Sequence, residues 1–223
     1  MNPLDVLYHD NHLLVVQKPP CQPIVPDASG DVALLEDAKA WVKQEYNKPG
    51  EVFLGVVHRL DRPVGGVVVF ARTSKAASRL SAAWQRHEVQ KTYLGWSRIP
   101  SPPSMGTEGE WKQWLWKDRQ RNRVHVGQRE GAKEAHTSWS VRESGPRGTL
   151  LQLKPHTGRA HQLRVACASA GLVLAGDLKY GAEAPLKDKS IGLWATSLEL
   201  KHPTKDEVLR FEAPLPAWAT LKA

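Results

Sequence analysis

The stretch Val57-His58-Arg59-Leu60-Asp61-Arg62-Pro63-Val64-Gly65-Gly66 sets one carboxylate among cationic side chains, between two apolar runs. Proline and the two glycines force a turn directly after Asp61. A carboxylate at such a strand end is fixed by the scaffold while still facing a cleft. There it can act as a nucleophile or as a base, or it can simply cap the turn and pair with Arg59 or Arg62. Two further segments carry groups suited to phosphate. Lys117-Asp118-Arg119-Gln120-Arg121-Asn122-Arg123 has four cations in seven residues, which makes it either a solvated hairpin or an arm that grips phosphates. Gly158 and Arg159 form a turn into a helix expected from about Ala160, whose N–H groups and dipole favour an anion.

The elements that position these groups follow from hydrophobic patterning. Apolar, β-branched runs begin at Leu13 (LLVVQ), Val52 (VFLGVV), Gly66 (GVVVFA), Thr92 (TYLGW) and Thr149 (TLLQLK), and each reads as a strand. Helical spacing covers Val32 to Tyr46 and Ser74 to His87, where Ala77, Leu80 and Trp84 recur on one face and Ser74 is the expected N-cap. A third helix is expected over Ala160 to Ala170, ending at Gly171, which can adopt the left-handed conformation. The alternation RVHV beside the basic run predicts a β-ribbon. Strands outnumber helices and alternate with them irregularly, so the expected fold class is α+β: a mixed, largely antiparallel sheet with flanking helices. Residues 1–223 read as a single catalytic domain, with the Pro-, Gly- and Ser-rich segment Pro100 to Gly109 as the place where it could divide into two halves.

Composition sets outer bounds on function. The formal charge is +8 and the pI is near 9.6, a balance that favours a polyanionic partner through counterion release. Cys21 and Cys167 lie far apart, without metal-ligand spacing or a disulfide framework, which fits a reducing compartment. The opening residues lack the basic start and apolar core of an export signal, and no stretch approaches the ~18 apolar residues of a membrane span. The expected location is the cytoplasm, without a membrane partner.

The segment HRLDRPVGGVVVFARTSKAASRL resembles the HRLD signature of the RluA-type pseudouridine synthases. KTYLGW (Lys91 to Trp96), GRAHQLR (Gly158 to Arg164) and GDLKYG (Gly176 to Gly181) follow in that family's order, and the opening VLYHDNHLLVVQKPP is similar to the start of its catalytic domain. The resemblance implies the pseudouridine synthase fold and an isomerase acting on structured RNA, either rRNA or tRNA. By resemblance, Asp61 is the catalytic carboxylate, as nucleophile or as base. Arg164 is its ion-pair partner, and Tyr93 is the active-site tyrosine whose ring stacks on the target uracil. His58 and Arg59 support the turn or contact the flipped nucleotide. Gly158, Arg159 and His161 are candidate substrate-side groups, although His161 also reads as a core histidine, and Arg119, Arg121 and Arg123 are candidate phosphate contacts. The sequence departs from the family at Val64-Gly65-Gly66, where hydroxyl residues are common, at Pro20-Cys21 and at Val165-Ala166. Many relatives carry an N-terminal S4 RNA-binding domain, and with three residues before Leu4 substrate binding is expected to fall to the catalytic domain, acting as a monomer.

The reaction explains the residue types. It breaks N1–C1′, turns the uracil and joins C5 to C1′, with no redox change and no added group, so no cofactor and no metal are expected. Other enzyme classes fit less well. The kinase catalytic loop needs an Asn five residues past its Asp, where this chain has Gly66, and a glycine-rich loop upstream. A glycosidase needs a second carboxylate beside the first. The remaining rival is an RNA-binding or RNA-folding protein on the same scaffold whose chemistry has lapsed.

Overall fold

The computed structural model describes residues 4–219; the opening three residues, part of the reading on export signals, lie outside the described residues. The described chain falls into two compact units. One runs to Gln90 and is rejoined by Ser197–Pro214; the other is Lys91–Thr196 with the residues from Leu215 onward. The segment Pro100 to Gly109 lies inside the second unit, so the division falls elsewhere, after Gln90 and after Thr196. Eleven strands and three α-helices are described, an α+β composition in which strands dominate.

In the first unit, β1 (Asp5–His9), β2 (Leu13–Lys18) and β4 (Gly65–Ala71) form an antiparallel meander. All seven residues of β4 are buried, and Leu13, Leu14, Val15 and Val16 of β2 are fully inaccessible. A strand covered on both faces has no reason to alternate, which is why GGVVVFA and LLVV are continuous apolar runs. The run from Val52 forms only the short β3 (Gly55–Val56), paired with Ala71 and Phe70 at the end of β4. Val52 and Leu54 are buried and Phe53 is exposed, so the alternation is real, but little of the run finds a partner edge. A Cβ at Gly55 would come within 2.8 Å of Ala77 Cβ, so glycine is what lets helix α2 (Ser74–Gln85) lie close to β3.

Helix α1 (Leu34–Glu45) buries Leu34, Ala38 and Val42, at four-residue steps along one face. Helix α2 buries Ala76 and Leu80, with Ala77 and Trp84 half-buried beside them. Its N-cap is Thr73, one residue before the expected Ser74: the Thr73 hydroxyl accepts from the Ala76 N–H at 3.2 Å. The Thr73 backbone is extended, as a cap requires.

In the second unit, β5 (Gln90–Ser97), β9 (Gly148–Pro155), β8 (Lys133–Gly145), β6 (Glu108–Asp118) and β7 (Arg123–Val126) lie side by side in that order, every pairing antiparallel. Helix α3 (Gln162–Ser169) covers one face of this sheet. Leu115, Val124 and Ala135 pack there with Val165 and Tyr180. The helix begins at Gln162, two residues later than expected, because His161 adopts a left-handed backbone at the N-cap. Past its end Gly171 has φ +75°, the conformation that ends a helix. Strand β10 (Leu193–Lys201) leads back into the first unit, where Ser197 to Lys201 pair with β11 (Val208–Glu212).

Candidate active site

In the first unit the Asp61 turn is held from inside. Val64 N–H donates to the Asp61 carbonyl at 2.9 Å, which closes the turn and hands the chain to β4. Lys18, the last residue of β2, has no exposed surface. Its Nζ donates to the carbonyls of Pro19 (2.9 Å), Arg62 (3.0 Å) and Val64 (2.8 Å). One amino group thus holds the chain on both sides of Pro63, two residues after Asp61. Burial pushes the Lys18 pKa down to about 7, opposed by the nearby charges of Cys21 and Asp61 and reinforced by Arg62. Lys18 was not among the residues expected in the site. Its signal is the alternation of β2, which puts Lys18 on the same side as Leu14 and Val16.

The neighbours of Asp61 are distributed around this turn. Arg62 is exposed and forms ion pairs with Asp27, at 3.5 Å, and Asp31, while its Nε donates to the Cys21 carbonyl at 3.0 Å. Of the two arginines considered as simple partners for Asp61, this one has carboxylates of its own. His58 Nε2 accepts from the Val69 N–H at 3.0 Å, and its ring stacks on Trp84 at 4.7 Å. The imidazole therefore anchors the HRLD segment to β4 and α2. Arg59 is exposed and Asp61 half-buried. Gly66, which pairs with Lys18 in the sheet, has φ +118°. A side chain is strained there, so this glycine of the Val64-Gly65-Gly66 departure is needed by the backbone itself.

In the second unit the GRAHQLR and GDLKYG motifs form one cluster. Arg164 is 6% exposed and Asp177 1%. Nε and Nη2 of Arg164 donate to Oδ2 and Oδ1 of Asp177, each at 2.7 Å, a bidentate pair that fixes the guanidinium plane. The Tyr180 ring lies 5.2 Å from Arg164 Cζ. The Tyr180 hydroxyl accepts from the Val124 N–H at 3.0 Å and contacts His161 Nδ1 at 2.8 Å. Asp177 and Tyr180 belong to the GDLKYG motif, and the motif alone gave neither of them a role. Tyr93 sits half-buried in β5 opposite Leu153.

The turn before α3 is locked by Gln162, which is 4% exposed. Its Oε1 accepts from the Thr157 hydroxyl (2.8 Å) and the Arg159 N–H (3.0 Å). Its Nε2 donates to the His136 carbonyl (3.0 Å) and to Thr137 Oγ1 (2.9 Å). Gly158 is exposed, and Arg159 Nε donates to the Glu134 carbonyl at 2.8 Å. The Lys91 side chain reaches the Thr157 carbonyl at 3.4 Å, and burial lowers its pKa. The basic run forms the tip of the β6–β7 hairpin, with Asp118 paired to Arg123 and Arg119, Arg121 and Arg123 exposed. Arg123 also lies over the Tyr180 ring, 5.4 Å from its centroid. On the face of this sheet away from α3, Glu110, His136 and His156 converge, one ligand atom from each within 4.8 Å of the others. No spacing in the sequence announced that group.

Residues 12–169 match the family model described as RNA pseudouridylate synthase, and the chain belongs to this family of RNA-modifying isomerases. It is 32% identical over 220 residues to the uncharacterized RNA pseudouridine synthase YhcT of Bacillus subtilis, covering 96% of this chain and 69% of that protein. It is 32% identical to ribosomal large subunit pseudouridine synthase D of Xanthomonas campestris (96% and 66% covered) and 30% identical to synthase C of Escherichia coli (94% and 66%). The chain spans about two thirds of the length of these curated relatives. Among solved structures, human RNA pseudouridylate synthase domain containing 4 superposes with a TM-score of 0.76 at 25% identity, over 96% of this chain and 90% of that one.

Proposed function

We propose that this chain converts uridine to pseudouridine in RNA of the large ribosomal subunit, with Asp61 as the carboxylate that starts glycosidic cleavage. The observation that carries the reading is the family match over residues 12–169, a span that contains Asp61, Tyr93 and Arg164 together. The ribosomal substrate is supported by the names of the relatives from Xanthomonas and Escherichia. No helix among the described residues is long and apolar enough to cross a membrane, and the proposed setting is a cytoplasmic monomer working on RNA.

Each group has a physical task. The N1–C1′ bond breaks, the detached uracil turns, C5 bonds to C1′, the proton leaves C5 for solvent and N1 takes up a proton, so atoms balance without a second substrate. Asp61 must be ionised to begin. A guanidinium carries five N–H donors, so Arg164, oriented by Asp177, is suited to hold a second carboxylate and keep it charged. Tyr93 offers a ring to stack on the uracil and a hydroxyl for proton movement. Arg119, Arg121 and Arg123 bind backbone phosphates, while His58, Arg59, Gly158, Arg159 and His161 shape the surroundings of the flipped nucleotide. The test is tritium release from ribosomal RNA labelled at uridine C5. The wild-type chain should release tritium and Asp61→Asn should release none; failure of the wild type to release any would favour a lapsed, purely RNA-binding protein.

A further inference from the structure

The group on the outer face of the second unit's sheet has the composition of a cation site. Leu115 and Ala135 point into the core under α3, so by alternation Glu110 on β6 and His136 on β8 stand on the opposite face. Glu110 pairs with Ser138 and Lys112 with His136, making Glu110 and His136 diagonal neighbours. His156, directly after β9, donates its N–H to the His136 carbonyl at 2.9 Å. Its ring stacks on His136 at 4.2 Å.

We propose that Glu110, His136 and His156 bind a divalent transition-metal cation of the zinc type. Three observations point there. The first is spacing: His136 Nε2 and Glu110 Oε2 are 3.3 Å apart, and two ligands on a tetrahedral zinc, each about 2.1 Å from the metal, lie about 3.4 Å apart. The second is an orphaned atom. His136 Nε2 is shielded from solvent and makes no well-aligned hydrogen bond among the described residues; the Glu110 carboxylate 3.3 Å away pairs with it fully only when the imidazole is protonated, so the neutral ring leaves a lone pair open to a ligand. The third is an outer partner: Ser138 Oγ lies 2.6 Å from His156 Nε2, placed to orient that imidazole as hydroxyls and carbonyls orient ligating histidines.

Two imidazoles and one carboxylate suit zinc, cobalt or nickel and not the all-oxygen preference of magnesium or calcium. Solvent completes the shell that the three side chains leave open. Two cations oppose the metal, Lys91 near His156 and Lys112, whose Nζ lies 3.0 Å from Glu110 Oε2. Lys112 is 63% exposed and swings into solvent at little cost. The bound ion clamps β6 and β8 to the end of β9. Because the His136 N–H donates to Thr157 Oγ1 at 3.0 Å, the clamp also steadies the turn locked by Gln162.

The test uses the full chain after chelator treatment and dialysis, titrated with zinc chloride by calorimetry and with cobalt(II) by visible absorption. One site is expected, with a cobalt spectrum of nitrogen and oxygen ligands, a raised Tm, and no heat with magnesium. Glu110→Gln, His136→Ala and His156→Ala should each weaken zinc at least about ten-fold through loss of a ligand. Lys112→Met should tighten it, because the competing ammonium is gone. Glu110 and His156 are exposed, so their variants decide the matter should His136→Ala fail to fold. Absence of zinc binding, binding unchanged in these variants, or a thiolate band implicating a cysteine would overturn the proposal. None of these readouts depends on isomerase activity.

Discussion

The buried Nζ of Lys18 donates to the carbonyl of Val64 at 2.8 Å, so the end of β2 and the start of β4 are joined by this amino group directly behind the Asp61 turn. Two more carbonyls, of Pro19 and Arg62, share the same donor. Lys18→Met leaves these acceptors without it, at a cost of about 3 kcal/mol from unsatisfied buried polar groups. The expected result is a chain with a lower urea midpoint and, at temperatures where it stays folded, a loss of turnover exceeding any loss of RNA binding. Equal losses in both would mean that Lys18 supports the fold alone.

Lys18 also predicts a pH dependence. Its pKa is about 7 in the folded chain against 10.5 for an ordinary lysine. Between those values the unfolded chain binds the proton and the folded chain does not, so stability rises with pH through this window, by at most roughly 1.4 kcal/mol per pH unit. The contribution is fully present above the unfolded value and lost as pH falls toward 7. Urea unfolding of wild type and Lys18→Met across pH 7 to 10 checks this: the difference in stability should grow with pH, and a flat difference would show that Lys18 stays charged throughout.

Asp61→Asn keeps the size of the side chain and removes its charge. We expect a folded protein, RNA affinity and salt dependence as in wild type, and no detectable tritium release. Retention of near-normal turnover would remove Asp61 from the mechanism.

Arg164 is both paired and buried, so its removal has two effects that can be separated. Arg164→Met strands Asp177, 1% exposed, and should cost about 3–5 kcal/mol. Adding Asp177→Leu relieves the buried charge and should recover much of the stability without recovering kcat. Recovery of turnover in the double variant would show that Arg164 serves only the fold.

The hairpin tip separates binding from chemistry. Changing Arg119, Arg121 and Arg123 to glutamine should weaken RNA binding and flatten its log–log salt dependence by about 0.7 to 0.9 per lost phosphate contact. Turnover at saturating RNA should survive. Arg123 packs over Tyr180, so Arg119 and Arg121 are expected to carry most of the change in slope, measured by equilibrium binding at several salt concentrations.

Patterning along the chain was enough for the strands from Leu13, Gly66, Thr92 and Thr149, the three helices to within two residues or so, and the Asp61 turn, because these depend on local periodicity and on Pro and Gly chemistry. The family was legible too, through four motifs in order. The run from Val52 misled: β propensity says that a segment suits a sheet, while the extent of pairing depends on which edge it reaches, and only Gly55 and Val56 pair. The sequence alone already placed Lys18 beside a proline and Asp177 in a motif, yet neither had a role until its partner was known. The Lys18 cage joins residues 44 and 46 positions apart, the Arg164–Asp177 pair joins a helix to a loop, and Glu110, His136 and His156 meet only because β6, β8 and β9 pair in one register. Such contacts are set by tertiary packing, which brings together side chains whose separation along the chain carries no periodic signal.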